Sequence, residues 1–155
     1  MTGQLEALRL LLAAPGGEAG VNQQSPTGRT ALANAALSGC TAEARLLLQH
    51  GADPNLADND SYSPLIVAAM ASGDAGRGVA ALLLDAEAEI DHQNTTDGQT
   101  ALQFACQASN AEVAKLLLER GANKNLKCQG YDLKAIVEGF AASNKAELLA
   151  LLDRY

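Results

Sequence analysis

The chain has 155 residues, is 48% hydrophobic but only 3% aromatic, and carries a net charge of −7. That length suits one domain, with a core built from Ala, Leu and Val, a composition that favours closely packed short helices. Nine carboxylates against Arg77 alone between residues 51 and 100 would repel a phosphate backbone and attract a basic peptide or protein surface, although the same charge also keeps an Ala-rich chain soluble.

The chain opens on a helical stretch in which Glu6, Ala7, Arg9, Leu10, Leu11 and Leu12 match Ala42, Glu43, Arg45, Leu46, Leu47 and Leu48 at a constant offset of 36. The sequence therefore begins on the second helix of a repeated unit, as a half unit or as part of a longer array. Either way an apolar flank is expected to be exposed there.

The first complete unit runs from 25 to 57. Thr27-Gly28 signals a turn, and Thr30 is suited to cap a short helix through Ala31, Leu32, Ala35 and Ala36 that Gly39 ends. A second helix follows from about Ala42 to His50, with Ala44, Leu47 and Leu48 on its apolar face. Gly51 closes it, and Asp53-Pro54-Asn55 leads into an extended hairpin. The order is helix, turn, helix, hairpin.

The second unit, 58–94, starts its first helix at Ser63-Pro64, with Pro at the position where a missing amide costs nothing. From Pro64 to Leu82 the distance is 18 residues, against 15 from Ala31 to Leu46. The extra residues fall in the Gly-rich stretch 72–78, which is expected to be a flexible inter-helix loop. Its glycines superficially resemble a phosphate-binding loop, but the Gly-Lys-Ser/Thr ending and the preceding strand are missing.

The third unit, 95–127, returns to the standard spacing: Ala101 to Leu116 is again 15 residues. The fourth, 128–155, is eroded. Aligning Ser143-Asn144 with Ser109-Asn110 puts Lys134 where Thr100 stood, so the capping hydroxyl is lost. An atypical terminal unit suits the end of a stack that faces water.

Cys40, Cys106 and Cys128 are too widely spaced to form a metal motif or a disulfide framework, and Cys106 lies in an apolar helical run as a small core residue. A reducing compartment, the cytoplasm or nucleus, is the expected home. The sequence shows no signal peptide and no apolar run long enough to cross a bilayer. His50 precedes a helix-ending glycine and His92 lies in a hairpin, so both read as structural or solvated. No nucleophile with a matching base, metal site or cofactor site can be placed, and no enzyme activity is expected.

Several elements recur in register: Gly28-x-Thr30-Ala31-Leu32-x-x-Ala35-Ala36 with Leu46-Leu47-x-x-x-Gly51-Ala52-Asp53-x-Asn55, then Gly98-x-Thr100-Ala101-Leu102-x-x-Ala105 with Leu116-Leu117-x-x-x-Gly121-Ala122-Asn123-x-Asn125. The middle copy, Ser63-Pro64-Leu65-x-x-Ala68-Ala69 with Leu82-Leu83-x-x-x-Glu87-Ala88-Glu89-x-Asp91, is looser. The pattern resembles the ankyrin repeat. The chain departs from that family where a His usually follows the Leu of its Thr-Pro-Leu motif. Ala33, Ile66, Gln103 and Val137 stand there, so the hydrogen bonding that His supplies between units is expected to be absent or rebuilt. Ser61 replaces a hairpin glycine and Glu87 a helix-ending one.

The resemblance implies a mainly α solenoid of stacked helix-turn-helix units joined by β-hairpin loops, which acts as a protein-binding scaffold. It implies a concave surface made from hairpin tips near 24–29, 58–62, 95–99 and 127–131, and from the groove-facing positions of the first helices. Those positions are Asn34, Leu37 and Ser38; Val67, Met70 and Ala71; Phe104, Gln107 and Ala108; and Glu138, Ala141 and Ala142. Leu37, Val67, Met70 and Phe104 would form an apolar strip, with Gln107 beside it and Tyr62 as a fingertip anchor. Asp58, Asp60 and Asp97 would rim it. The expected partner is a protein or peptide segment with apolar anchors flanked by Lys or Arg, and neither nucleic acid nor membrane. The competing expectations are that Val67 and Phe104 are simply core, and that the chain is a structural or regulatory segment of a larger protein or self-associates through its N-terminal flank.

Overall fold

A computed structural model of the chain describes residues 2–14, 16, 20–71, 74–140 and 144–155. Among these are nine helices: α1 (Thr2–Ala13), α2 (Ala31–Leu37), α3 (Thr41–Gln49), α4 (Pro64–Met70), α5 (Asp74–Asp85), α6 (Ala101–Gln107), α7 (Ala111–Glu119), α8 (Leu133–Phe140) and α9 (Lys145–Arg154). The first helices α2, α4, α6 and α8 pack in one layer, each against the next. The second helices α1, α3, α5, α7 and α9 do the same in a second layer, and each first helix backs onto its own second helix.

The first helices begin where a side chain can accept their free amides. The hydroxyls of Thr30, Ser63 and Thr100 accept from the backbone N–H of Ala33, Ile66 and Gln103 at 3.1, 3.3 and 3.4 Å. Caps of this kind are each worth about 1 kcal/mol. In the fourth unit the Asp132 carboxylate takes the role, accepting from Ala135 N at 2.8 Å. It stands two residues before Lys134, so α8 starts earlier than the register of the third unit would place it.

The turns hold left-handed backbone whether or not glycine occupies them. Gly51 and Gly121 follow the second helices with φ of 84° and 88°, and Glu87 adopts 63° at the same place. Ser61, at a hairpin tip, has φ of 61°. The loss of these glycines leaves the path of the chain unchanged, at a strain on the order of 1 kcal/mol per residue.

The Gly-rich stretch departs from the loop expected of it. Positions 72 and 73 lie outside the described residues, but Asp74 to Gly78 are helical, and α5 has 12 residues where α3 and α7 have 9. The three-residue insertion is absorbed as nearly one extra turn at the start of α5. Its glycines permit close approach: a Cβ on Gly76 would sit 2.5 Å from the Ala68 carbonyl oxygen, and one on Gly78 would sit 2.9 Å from Thr41 Oγ1.

The core is one continuous cluster from Leu12 to Leu152, rich in Ala and Leu, with Cys106 fully enclosed. Burial pushes the Cys106 thiol up to about 12, so it remains protonated. Leu10 and Leu11 on α1 are exposed.

Asparagines stitch the units together. Asn22 donates to Gly51 O (3.1 Å) and accepts from Asp53 N (2.8 Å), and Asn55 repeats this with Glu87 O (3.3 Å) and Glu89 N (2.8 Å). At the next step Asp91 accepts from Asn123 N at 2.9 Å, but a carboxylate has no donor for Gly121 O. On the helix side, Asn110 and Asn144 reach back to Ala71 O (3.0 Å) and Ser109 O (2.7 Å).

Candidate binding face

The hairpin loops close by backbone bonds rather than by strands. Ser25 N donates to Arg29 O, Asp58 N to Tyr62 O and Asn94 N to Gln99 O, while Cys128 and Tyr131 form an isolated antiparallel bridge. Successive tips are tied to one another. Asn59 donates to Pro26 O at 3.0 Å, Thr95 Oγ1 to Asp60 O at 3.3 Å, and His92 Nε2 lies 3.0 Å from Ser61 O. The first three tips thus form a connected row beside the first helices.

Leu37, Met70 and Gln107 each end a first helix, in the same register. Leu37 is 46% exposed and Met70 43%, while Gln107 is half-buried. Asn34, Ser38, Ala108 and Glu138 are also exposed, whereas Ala141 and Ala142 lie outside the described residues.

Val67 departs from the apolar strip expected of it. It is only 2% exposed and belongs to the core. α4 is flanked by α2 and α6 and backed by α5, so a short two-methyl side chain at this register is covered. Ala71 is buried as well, with its carbonyl held by Asn110. Phe104, in the register of Val67, is long enough to reach outward. It is half-buried, and its ring meets that of Tyr62 at a centroid distance of 5.6 Å.

The acidic rim is smaller than expected. The Asp58 side chain is only 6% exposed, and its Oδ2 lies 3.5 Å from the guanidinium of Arg29. Its Oδ1 accepts from Asp60 N (3.1 Å) and Tyr62 N (2.9 Å), so Asp58 shapes the hairpin turn rather than offering a free charge. Asp60 is exposed. Asp97 lines a cavity of about 390 Å³ between α6, α8 and two hairpin tips, together with Gln107 and Tyr131. Tyr131, 62% exposed, is a member of this face that sequence reasoning did not single out. Its place at a hairpin tip, homologous to that of Tyr62, was the available signal.

Among the described residues no three His, Cys, Asp or Glu side chains gather to hold a metal ion, and no helix is long and apolar enough to cross a membrane.

A family model described as ankyrin repeats (3 copies) matches residues 1–94 and again 71–151. The chain belongs to the ankyrin-repeat family. It is also 38% identical over 146 residues to the Ankyrin repeat and KH domain-containing protein mask-1 of Caenorhabditis elegans. That match covers 94% of this chain but only 5% of the relative. Ankyrin repeats are generally protein–protein interaction modules.

Within this ankyrin array the position usually held by His is solved in two ways. Ala33, Ile66 and Val137 are simply buried. Gln103 makes a polar link within the third unit instead: its Oε1 accepts from Thr100 N at 2.8 Å, and its Nε2 donates to Leu126 O, in the loop after α7, at 2.8 Å.

Proposed function

We propose that this ankyrin-repeat array is a non-catalytic binding module that receives a protein segment along the face made by its first helices and hairpin tips. The observation that supports this reading most directly is the exposure of Leu37 and Met70. They are large apolar side chains at matching positions of neighbouring first helices. Apolar groups held on a rigid scaffold give an interface its centre, and preformed geometry limits the entropy lost on binding. Asp60 and Asp97 supply negative charge at the hairpin tips, which suits a segment that carries basic residues next to its apolar anchors.

Affinity capture from lysate with wild type and with Leu37→Glu/Met70→Glu tests the reading, with circular dichroism as the control for folding. A protein held by wild type, lost by the variant and reconstituted with purified components supports it. Equal retention by both forms overturns the assignment of this face.

A second reading rests on a different observation. The exposed Leu10 and Leu11 on α1 offer a surface for self-association, or for a neighbouring part of a larger assembly. Light scattering over a concentration series distinguishes it: a dimer abolished by Leu10→Lys/Leu11→Lys supports this second reading, and a monomer at all concentrations opposes self-association.

A further inference from the structure

The cavity between the third and fourth units is lined by apolar, amide, carboxylate and aromatic side chains together. Its walls combine apolar surface from Ala135 and Ile136, the carboxylate of Asp97, the amides of Gln99 and Gln107, and the ring of Tyr131. Asp97 is the one charged residue in this lining among the described residues. Its Oδ1 accepts from Gln99 N at 3.3 Å, and its other oxygen has no partner among the described residues. The side-chain amides of Gln99 and Gln107 make no hydrogen bond among the described residues either, although their carbons pack into the array. At the far wall, Gly139 leaves open space where any other residue would place a Cβ.

We propose that this cavity takes an arginine side chain of the bound segment. The proposal rests on the reading of this face as the binding face and deepens it by naming the residue recognised. The apolar wall suits the three-methylene stem, as long cationic side chains lay their stems on apolar surface. The planar guanidinium carries five N–H donors and no acceptor, which matches an open carboxylate oxygen and two unpaired amide oxygens. The exposed Tyr131 ring offers a face for it to stack on. A lysine supplies three donors from a point charge and stacks less well. An acidic side chain meets Asp97 with like charge, and an aliphatic one leaves the amides and carboxylate unanswered.

The test is an NMR titration of the isotopically labelled full chain with N-acetyl-arginine amide, and with N-acetyl-citrulline amide as its uncharged isostere. The expected result is a saturable shift of the Ile136 methyls, the Gln107 side-chain amide and the Tyr131 ring with the arginine probe. Affinity should be about tenfold weaker for the citrulline probe, and about tenfold weaker for arginine in Asp97→Asn, as befits a charge-assisted bond. Asp97→Asn keeps an acceptor for Gln99 N, so the turn stands, and the amide spectrum checks this. No saturable shift, equal affinity for the two probes, or indifference to Asp97→Asn would overturn the proposal. The two readings fail separately. A protein captured through Leu37 and Met70 with a null arginine titration removes the arginine pocket and leaves the binding face. A positive titration with no partner lost in the Leu37/Met70 variant does the reverse.

Discussion

The rings of Tyr62 and Phe104 meet at 5.6 Å between centroids with their planes 54° apart. Tyr62 belongs to the hairpin of the second unit and Phe104 to the first helix of the third, so the pair bridges two units where the hairpin tips meet the first helices. Tilted aromatic pairs contribute roughly 0.5–1.5 kcal/mol beyond the area they bury. A double-mutant cycle with Tyr62→Ala and Phe104→Ala, read by urea unfolding, is expected to return a coupling energy in that range. A coupling near zero would mean that the two rings act independently.

Gly76 illustrates helix packing at the expense of helix propensity. Ala favours a helix interior over Gly by about 1 kcal/mol. At this position, however, a Cβ would sit 2.5 Å from Ala68 O and 3.1 Å from Ala71 O, both backbone atoms that yield little. Gly76→Ala is therefore expected to destabilise the chain by about 1–3 kcal/mol, the usual range for overpacking. An unchanged or raised unfolding midpoint would show that α5 shifts freely away from α4.

Asp91 breaks the asparagine stitch that Asn22 and Asn55 make. Asp91→Asn keeps the acceptor for Asn123 N and adds a donor aimed at Gly121 O, as Asn22 has for Gly51 O. The expected gain is about 0.5–1.5 kcal/mol, the net worth of one hydrogen bond. Chemical denaturation measures the gain, and hydrogen exchange at the Asn123 amide localises it. The mirror change, Asn55→Asp, should lose the bond to Glu87 O.

At the C-terminal end, Lys134 Nζ lies 2.6 Å from Asp153 Oδ1 on the surface. The hydrogen bond from Lys134, and then its charge, hold the Asp153 carboxyl below its ordinary value of 3.8. A depressed carboxyl pKa means that the contribution of the pair to stability is fully present above 3.8 and is lost as pH falls through the lowered value. Lys134→Met should return Asp153 toward the ordinary value, as followed by carboxyl carbon NMR against pH. An unmoved titration would show that the contact does not persist in solution.

Most of the fold was legible because repetition reveals itself: the capping hydroxyls at 30, 63 and 100 and the recurring leucine triplets place the helices within a residue or two. Three details were hidden for physical reasons. The glycines of α5 signal flexibility by type, and only the nearness of Ala68 and Ala71 to Gly76 and of Thr41 to Gly78 shows that they serve close packing. Asp132 caps α8 out of register with its homologues. Val67 and Phe104 share a register, yet side-chain length decides which of them reaches the surface. Exposure was legible at Leu37 and Met70, which end α2 and α4 in the same register. It was less so at Asp58, whose carboxylate is consumed by its own turn.

Every pair of helices in substantial contact belongs to the same unit or to adjacent ones. A load drawn along the stack therefore passes through the inter-unit junctions in series, like tension through links of a chain. Extension should begin at the weakest link rather than everywhere at once. Among the described residues the second helices touch least at the two ends of the stack, α1 against α3 and α7 against α9, so the terminal units are a natural place for the array to yield first and to re-form when the load is released.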